Sequence, residues 1–156
     1  MLMHVLFVCT GNTCRSPMAE AIARRLIEER GLASVTVGSA GTSAWPDAPA
    51  SDGALLVAME LGMDLSQHRA RQLSPELVAG ADLILTMGPH HLERAEALGG
   101  EGRSHLLTGY AGSHPRPVSD PFGGDLSVYR ATAAELEQEI RAILDKAVAE
   151  HPKLAP

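Results

Sequence analysis

The stretch HVLFVCTGNTCRSP, residues 4–17, decides the fold. Residues 4–8 are almost continuously apolar, which is typical of a strand buried on both faces of a parallel sheet. Ser16 and Pro17 are residue types that open helices, as the N-cap and the first helical residue. The stretch therefore predicts a buried strand that passes through a short polar loop directly into a helix.

The same alternation of apolar runs and helical patterns continues along the chain. Four runs are predicted as strands, at residues 4–8, 35–40, 82–87 and 104–108. Five segments are predicted as helices: residues 17–30, from Asp52 as N-cap to near Gly62, a short one from Ser74-Pro75, one from Gly88-Pro89 to Gly99-Gly100, and about 125–150. The last six residues, 151–156, are expected to be frayed.

Alternating strands and helices with short connections predict a doubly wound sandwich with right-handed crossovers. The pattern shows no internal repeat and no domain linker, and the length of 156 residues is near the common domain size. We therefore expect one domain over residues 1–156. Its class is α/β, with three α/β/α layers and a central four-stranded parallel sheet.

Composition limits the possible partners. The chain has a formal net charge of −6 and no basic tract, so a nucleic-acid partner is not expected. No apolar run approaches the roughly 18 residues of a membrane span, and no signal peptide is recognisable. In a chain without an export signal, the two cysteines are expected to be thiols. We expect a cytoplasmic monomer with no membrane partner.

Three unusual loops follow predicted strands. They are CTGNTCRS at residues 9–16, GTSAWPDAP at 41–49 and GYAGSHPRPVSDPFGG at 109–124. In open α/β sheets, ligands bind at the carboxyl ends of the strands. All three loops should emerge at that edge, so we expect Cys9 and Asp120 to lie near each other.

The first loop has the residues of an anion site with a reactive thiol. A loop that enters a helix N-terminus points backbone N–H groups into one concavity, here from residues 10–15: Thr10, Gly11, Asn12, Thr13, Cys14 and Arg15. Arg15 adds a planar fork for bidentate phosphate binding. The same surroundings favour a thiolate at Cys9, placed for attack on phosphorus. Asn12 tolerates left-handed backbone, and Ser16 could cap the helix or donate to the sulfur.

These residues resemble a known family. CTGNTCRSP fits the C-x5-R-S signature of the low-molecular-weight protein tyrosine phosphatases. Four further segments are similar to those of the family and follow its order: SAGTSAW at 39–45, HRARQLS at 68–74, DLILTM at 82–87 and SDPFGG at 119–124. The resemblance covers nearly the whole chain. It implies a protein phosphatase that forms a cysteinyl-phosphate and needs neither metal nor cofactor.

The resemblance also implies roles for individual residues. Cys9 would be the nucleophile, Arg15 would hold the phosphate, Ser16 would assist departure of the thiolate, and Asp120 would act first as general acid and then as general base. Three residues would support the loop, and two aromatic residues would form walls of the substrate pocket: Asn12, Ser39 and His68, and then Trp45 and Phe122. The partner would be a phosphorylated protein or peptide.

Thr13 departs from the aliphatic residue usual at its position in tyrosine phosphatases. Together with DPFGG, it resembles the bacterial protein arginine phosphatases of the same family. A hydroxyl there can meet a polar guanidinium, which an aliphatic side chain would crowd and desolvate. Trp45 suits a phenyl ring, although a guanidinium also stacks on indole. Gly123, in place of a second aromatic residue, suggests an open rim. Phosphotyrosine is the first hypothesis and phosphoarginine the second.

Two other functions fit the sequence less well. Relatives that reduce arsenate use resolving cysteines later in the chain, and none follows Cys14. A non-catalytic phosphoprotein-binding module would be expected to lack the nucleophile or the acid, and both residue types are present. Cys14 itself is either buried filler or a partner that captures oxidised Cys9 in a disulfide. His90 and His91 are adjacent on a predicted helix, where neighbours point apart, so both are expected to be solvated rather than metal ligands.

Overall fold

A four-stranded parallel sheet forms the centre of the protein, whose computed structural model describes all 156 residues. The strands run in the order β2-β1-β3-β4, and every pair is parallel. Their bounds are β1 Met3–Cys9, β2 Val35–Gly41, β3 Leu83–Thr86 and β4 Ser104–Leu106. The predicted α/β fold with a four-stranded parallel sheet is confirmed.

Five α-helices cover the two faces of this sheet. They are α1 Arg15–Glu29, α2 Asp52–Glu60, α3 Pro75–Ala79, α4 Pro89–Ala95 and α5 Leu126–Glu150. A π-helical turn at Glu96–Gly100 follows α4 and ends where Gly99 takes a positive φ of 108°. None of the helices has both the length and the apolar content needed to cross a membrane.

Alternation along the central strand separates the core into two parts. Val5 and Phe7 of β1 belong to a cluster of 30 buried residues that contains the apolar faces of α1, α2 and α5. Leu6 and Val8 point the other way, into a cluster of 8 buried residues with α3 and α4. Because successive strand residues face opposite sides, helices lie on both faces. The larger cluster contains most of the buried apolar residues.

Two helix starts differ from the sequence prediction. α1 begins at Arg15 with Cys14 as its N-cap, so Ser16 lies inside the first turn rather than capping it. α2 is capped by Ser51, whose side chain accepts from the N–H of Ala54, rather than by Asp52. At α2, Asp52 has the same capping chemistry as its neighbour Ser51, so residue type alone does not separate them. At α1, the cap is a cysteine without a side-chain capping bond, so no residue-type signal marks the true start.

The expected fraying of the C-terminus is wrong. Residues Pro152–Leu154 form a 3₁₀ turn directly after α5, and Leu154 is only 2% exposed within the larger core cluster. Burial of one leucine side chain is worth about 1.5–3 kcal/mol. That contribution favours packing of the terminal segment against the body of the protein, and the N–H groups of Leu154 and Ala155 also make backbone hydrogen bonds there.

Candidate active site

A cavity of about 230 Å³ lies at the carboxyl edge of the sheet. It is lined by Cys9, Thr10, Gly11, Thr13, Cys14, Arg15, Asp120 and Phe122. We call residues 9–15 the cradle loop and residues 109–124 the Asp120 loop. The fold thus brings Cys9 and Asp120 into one cavity, as expected from their positions at the end of β1 and in the loop after β4. Cys9 is 2% exposed yet lines the cavity, so its sulfur lies on the floor.

The segment that follows β2 is fastened to the cradle loop. The N–H groups of Thr42 and Ser43 donate to the carbonyls of Cys9 and Thr10, both at 2.9 Å. Gly41 is required at the end of β2, because a Cβ there would lie 2.4 Å from the carbonyl oxygen of Thr10. The cradle loop therefore packs directly against the main chain at the end of β2.

The N-terminus of α1 points into the cavity. Its N-cap, Cys14, makes no side-chain capping hydrogen bond, and no acidic residue occupies the first turn. Unpaired N–H groups and the helix dipole favour an anion at such a position. The cradle loop and α1 together can bind a tetrahedral oxyanion.

Arg15 connects the cradle loop to the Asp120 loop. Its guanidinium is nearly buried, with a side chain 8% exposed, and Nη1 donates to the carbonyl of Val118 at 2.9 Å. Nη2 lies 3.6 Å from Oδ2 of Asp120. The Val118 contact fixes the plane of the guanidinium and leaves its other N–H groups available for a ligand.

Asn12 braces the cradle loop from inside. It is completely buried and holds the left-handed φ of 56° that asparagine tolerates better than most residues. Its Oδ1 accepts from the N–H of Arg71 at 2.9 Å, which fixes the orientation of the amide. Nδ2 then donates to Oγ of Ser16 at 2.8 Å and to Oγ of Ser39 at 2.9 Å. All three of these hydrogen bonds hold the loop in place.

These contacts decide which way the Ser16 proton points. Oγ of Ser16 accepts from Nδ2 of Asn12, which leaves its O–H free to donate to Cys9 or to the carbonyl of Ala40. Cys9 Sγ lies 2.9 Å away, whereas the alternative acceptor, the carbonyl of Ala40, lies at 3.5 Å. When Cys9 is ionised, its sulfur can only accept, and Ser16 is then the donor of this contact. A hydrogen bond of this kind stabilises a thiolate.

Glu20 and Arg71, which the sequence analysis did not select, complete the support of the loop. Both contact Ser39: its hydroxyl donates to Oε1 of Glu20 at 2.6 Å, and its carbonyl accepts from Nε of Arg71 at 2.8 Å. His68, which was selected, lies with Nε2 2.7 Å from the carbonyl oxygen of Asn12. Glu20 lies on α1 one turn after Ser16, and that spacing is the only signal that points to it.

Asp120 lies in a more open environment than the cradle loop. Its side chain is 53% exposed, and Oδ1 accepts from the N–H of Phe122 at 3.1 Å. Phe122 is 73% exposed at the rim of the cavity. The carboxyl group thus lies between the guanidinium of Arg15 and solvent, where it can exchange a proton with a bound molecule or with water.

An ionic cluster fastens the Asp120 loop to α5. Nε and Nη2 of Arg116 donate to Oε2 of Glu135 at 3.0 and 2.7 Å, and Nη2 also lies 3.3 Å from Oε1 of Glu139. Ser113 donates to the buried carboxylate of Glu139. Pairing with Glu135, more than with Glu139, raises the pKa of Arg116. None of these residues was predicted, because their partners are distant in sequence.

Two predicted residues have surroundings that the sequence did not indicate. The indole of Trp45 is 81% exposed and is not part of the cavity lining, so the expected pocket wall is absent in this conformation. Cys14 is a free thiol with Sγ 3.2 Å from Oγ of Ser51 and 3.5 Å from the hydroxyl of Tyr129. Burial raises the pKa of that tyrosine, so its hydroxyl stays protonated at neutral pH.

The expectation that both adjacent histidines are solvated is wrong for His91. His90 is exposed, but His91 is 0% exposed, with Nε2 2.8 Å from Oγ1 of Thr10 in the cradle loop. Burial lowers the pKa of His91 to about 4, and the charges of His90 and Arg15 act in the same direction. The ring is therefore neutral at pH 7. His91 and Ala95, one helical turn apart, are the buried residues of α4, which is the pattern of an inward face.

A second, larger depression contains no comparable chemistry. A groove of about 560 Å³ lies between α2 and α5, and its charged residues form ion pairs such as Arg130 with Glu60. It contains no cysteine, serine or histidine. No group of three His, Cys, Asp or Glu side chains is arranged to hold a metal ion. A thiol, a guanidinium and a carboxyl group meet only in the cavity of the cradle loop.

Comparison with known proteins gives a consistent result. Residues 4–153 match the family described as low molecular weight phosphotyrosine protein phosphatase. The chain is 40% identical over 144 residues to the protein-arginine-phosphatase of Bacillus subtilis, covering 90% of this chain and 94% of that protein. It is 35% identical over 148 residues to the low molecular weight protein-tyrosine phosphatase A of Mycobacterium tuberculosis, covering 92% and 90%.

A solved structure agrees with this assignment. The YwlE arginine phosphatase, as a cysteine-to-serine mutant with a phosphorylated active site serine, superposes with a TM-score of 0.90. The identity is 38%, and the match covers 97% of this chain and 99% of that one. The family resemblance expected from the sequence is confirmed. The chain belongs to the low molecular weight phosphotyrosine protein phosphatase family and is a protein phosphatase.

Proposed function

We propose that this phosphatase hydrolyses phosphotyrosine in proteins or peptides through a cysteinyl-phosphate at Cys9. The observation that carries the proposal is the contact of 2.9 Å between Sγ of Cys9 and Oγ of Ser16, on the floor of a cavity that Arg15 and Asp120 also line. The similar YwlE structure is a cysteine-to-serine mutant whose active site serine is phosphorylated. A phosphoryl group bound covalently to the active site residue of that relative supports the same route here.

In the first step, the thiolate of Cys9 attacks phosphorus in line with the ester oxygen. The S–P bond forms while the P–O bond to the substrate breaks, and Asp120 gives its proton to the leaving oxygen. The N–H groups of the cradle loop and the free N–H groups of Arg15 hold the three other oxygens. Stabilisation of their charge is usually the largest part of catalysis.

In the second step, water attacks the phosphorus of the cysteinyl-phosphate. The carboxylate of Asp120 takes a proton from that water, the P–S bond breaks, and inorganic phosphate is released. The electron pair of the broken bond returns to sulfur as a thiolate. Ser16 donates its hydrogen bond to this sulfur and so favours its departure.

Phosphotyrosine fits the form of the cavity. The sulfur lies on the floor, while Phe122 lies at the rim with most of its ring exposed. A phosphoryl group bound at the floor would direct its ester group toward that ring, where a phenyl ring can pack. Trp45 would supply a second wall if the segment after β2 turned its indole inward on binding.

Phosphoarginine is a second candidate, and Thr13 is the observation that favours it. Thr13 lines the cavity, as does Asp120, so a guanidinium would meet a hydroxyl and a carboxyl group there. The relative from Bacillus subtilis with 40% identity is named a protein-arginine-phosphatase. Both substrates would use the same covalent step.

A side-by-side assay on phosphotyrosine and phosphoarginine peptides of matched sequence decides between the two substrates. We expect higher kcat/KM for phosphotyrosine in the native protein, and Thr13→Ile should lower activity on phosphoarginine more than on phosphotyrosine. A native preference for phosphoarginine that Thr13→Ile reverses would replace the first candidate by the second.

The covalent route has its own test. Cys9→Ser should lower turnover of an aryl phosphate by about four orders of magnitude or more, because the nucleophile is lost while the fold is kept. Circular dichroism of the variant provides the control for folding. Mass spectrometry of an acid-quenched native reaction should locate the phosphoryl group on Cys9, and an adduct on any other residue would remove this mechanism.

We further propose that the protein acts as a monomer in the cytoplasm. A net charge of −6 without a basic tract and two free cysteines support this environment. Sedimentation equilibrium at micromolar concentration should give a mass near 16.5 kDa. A concentration-dependent mass of twice that value would contradict the monomer.

A further inference from the structure

The mechanism above does not use His91, although this side chain touches the cradle loop. His91 lies in the first turn of α4 and is 0% exposed, and Nε2 lies 2.8 Å from Oγ1 of Thr10. Thr10 directly follows Cys9 and lines the cavity. A completely buried imidazole that is not part of the cavity lining therefore contacts the residue next to the sulfur.

The surroundings of the His91 imidazole indicate which of its two nitrogens carries the proton. Nδ1 of His91 is buried and has no hydrogen-bond partner. A buried N–H without an acceptor is rarer and costs more than a bare lone pair. The neutral tautomer with the proton on Nε2 avoids that cost, so Nε2–H donates to Oγ1 of Thr10. Burial, together with the charges of His90 and Arg15 and against that of Asp120, favours the neutral ring.

This direction leaves the hydroxyl proton of Thr10 free. Oγ1 of Thr10 accepts from His91 and makes no other hydrogen bond within the protein. A hydroxyl group has one donor and two acceptor positions, so the proton is available to a molecule in the cavity that Thr10 lines. Had His91 been the acceptor, that proton would have been donated to the imidazole and would not have been available to a ligand.

We propose that the Thr10 hydroxyl is an additional hydrogen-bond donor to the bound tetrahedral oxyanion, and that His91 is the positioning residue that turns this donor toward the ligand. The backbone N–H groups of the cradle loop and Arg15 would then be joined by one side-chain donor. The inference rests on the proposed function only in placing the phosphoryl group in this cavity. The matching ligand for a direct binding test is inorganic phosphate.

Four variants separate this role from simple packing. Thr10→Val keeps the branched shape and removes the hydroxyl, whereas His91→Phe keeps an aromatic ring and removes the donor. His91→Gln replaces the imidazole Nε2–H by an amide N–H at a similar reach. His90→Gln is the matched control, because the exposed ring of His90 packs against the ring of His91 but makes no hydrogen bond to Thr10.

The measurements are the Kd for inorganic phosphate by titration calorimetry and kcat/KM for an aryl phosphate. Thr10→Val and His91→Phe should each weaken phosphate binding about 10-fold, as expected for loss of one hydrogen bond to a charged group. The double variant should lose no more than either single variant, because both changes remove one interaction. His91→Gln should recover most of the loss, and His90→Gln should bind like the native protein.

Three outcomes would overturn the inference. Unchanged phosphate binding in Thr10→Val would remove the donor, and independent, multiplying losses in the double variant would make His91 a packing residue. If His91→Gln folds but does not recover phosphate binding, His91 would likewise be a packing residue. Phosphate binding does not require turnover. The binding test therefore remains valid even if no phosphoryl adduct forms on Cys9. Thr10→Val alone remains decisive if His91→Phe does not fold.

Discussion

The two sides of the active site are built differently. The cradle loop is supported by buried, mostly uncharged hydrogen bonds, and both Asn12 and Ser16 are 0% exposed. The Asp120 loop presents a carboxyl group that is 53% exposed and is fastened by the ion pairs of Arg116 with Glu135 and Glu139. One side is fixed by the core of the protein, and the other by contacts that reach the surface.

This difference indicates how each side should respond to change. Buried hydrogen bonds cost free energy when one partner is removed, because the other partner is left unpaired. Exposed ion pairs contribute less and are screened by salt. Damage to the cradle loop should therefore affect stability and all substrates, whereas damage on the Asp120 side should affect mainly the step that needs a proton.

Asp120→Ala provides the largest expected contrast. Loss of the general acid should slow esters with poor leaving groups by about 10²–10⁴-fold, whereas activated aryl esters, which leave without a proton, should lose much less. The measurement is kcat for a series of aryl phosphates of increasing leaving-group basicity. An equal loss across the series would mean that Asp120 is not the acid.

Asn12 tests the cradle side. Asn12→Ala removes three hydrogen bonds of a buried amide and should lower the free energy of unfolding by about 3 kcal/mol, with loss of activity on every ester. Asn12→Gly is the control, since glycine accepts the positive φ of 56° without making the bonds. A stable Asn12→Gly variant would show that backbone conformation, and not the hydrogen bonds, dominates.

His91 predicts a pH dependence of stability on the cradle side. Its pKa is about 4 in the folded protein against an ordinary value of 6.5, so the folded state binds fewer protons between these values. Stability from this group is complete above pH 6.5 and is lost as pH falls toward 4, by about 3 kcal/mol at most.

Urea unfolding of the native protein and of His91→Gln, compared between pH 7 and pH 4, measures this loss. The native protein should show the steeper decline toward pH 4, because the glutamine does not titrate. Parallel declines would mean that carboxylates, rather than His91, set the acid sensitivity.

Arg116→Met should give the smallest effect. The Asp120 loop would lose its ion pairs with α5, and we expect kcat for a poor leaving group to fall about 3- to 10-fold. The change in stability should be small, because the pair with Glu135 is partly exposed and Ser113 still donates to the buried carboxylate of Glu139. Arg130→Met is the matched control, because Arg130 forms an exposed pair with Glu60 elsewhere on α5. Equal effects of the two variants would mean that the pairing of Arg116 does not position the acid.

The sequence predicted the cradle side better than the Asp120 side for a physical reason. The residues of the cradle loop are contiguous, and strand, loop and helix follow one another, so local chemistry indicated Cys9, Asn12 and Arg15. The supports of Asp120 come from α5, and no local pattern connects Arg116 to Glu135. The exposed position of Trp45 likewise depends on how the chain after β2 folds back.

The histidine pair and the C-terminus show what side-chain chemistry alone leaves undetermined. Polar residues suggested solvent for both His90 and His91, but the helix has to turn one of two neighbours inward. The turn-spaced Ala95 was the available signal for which one is buried. Leu154 is the one large apolar side chain in the segment HPKLAP at residues 151–156, and only the packed core shows that a site for it exists.

Gly41 links the assembly of the sheet to the formation of the cradle. The carbonyl of Thr10 would lie only 2.4 Å from any Cβ at this position, so the loop takes its shape against the main chain of β2. Until β2 has paired with β1, that surface does not exist. A nascent or partly unfolded chain therefore carries a cysteine but no phosphate site, and catalytic competence arrives together with the finished sheet.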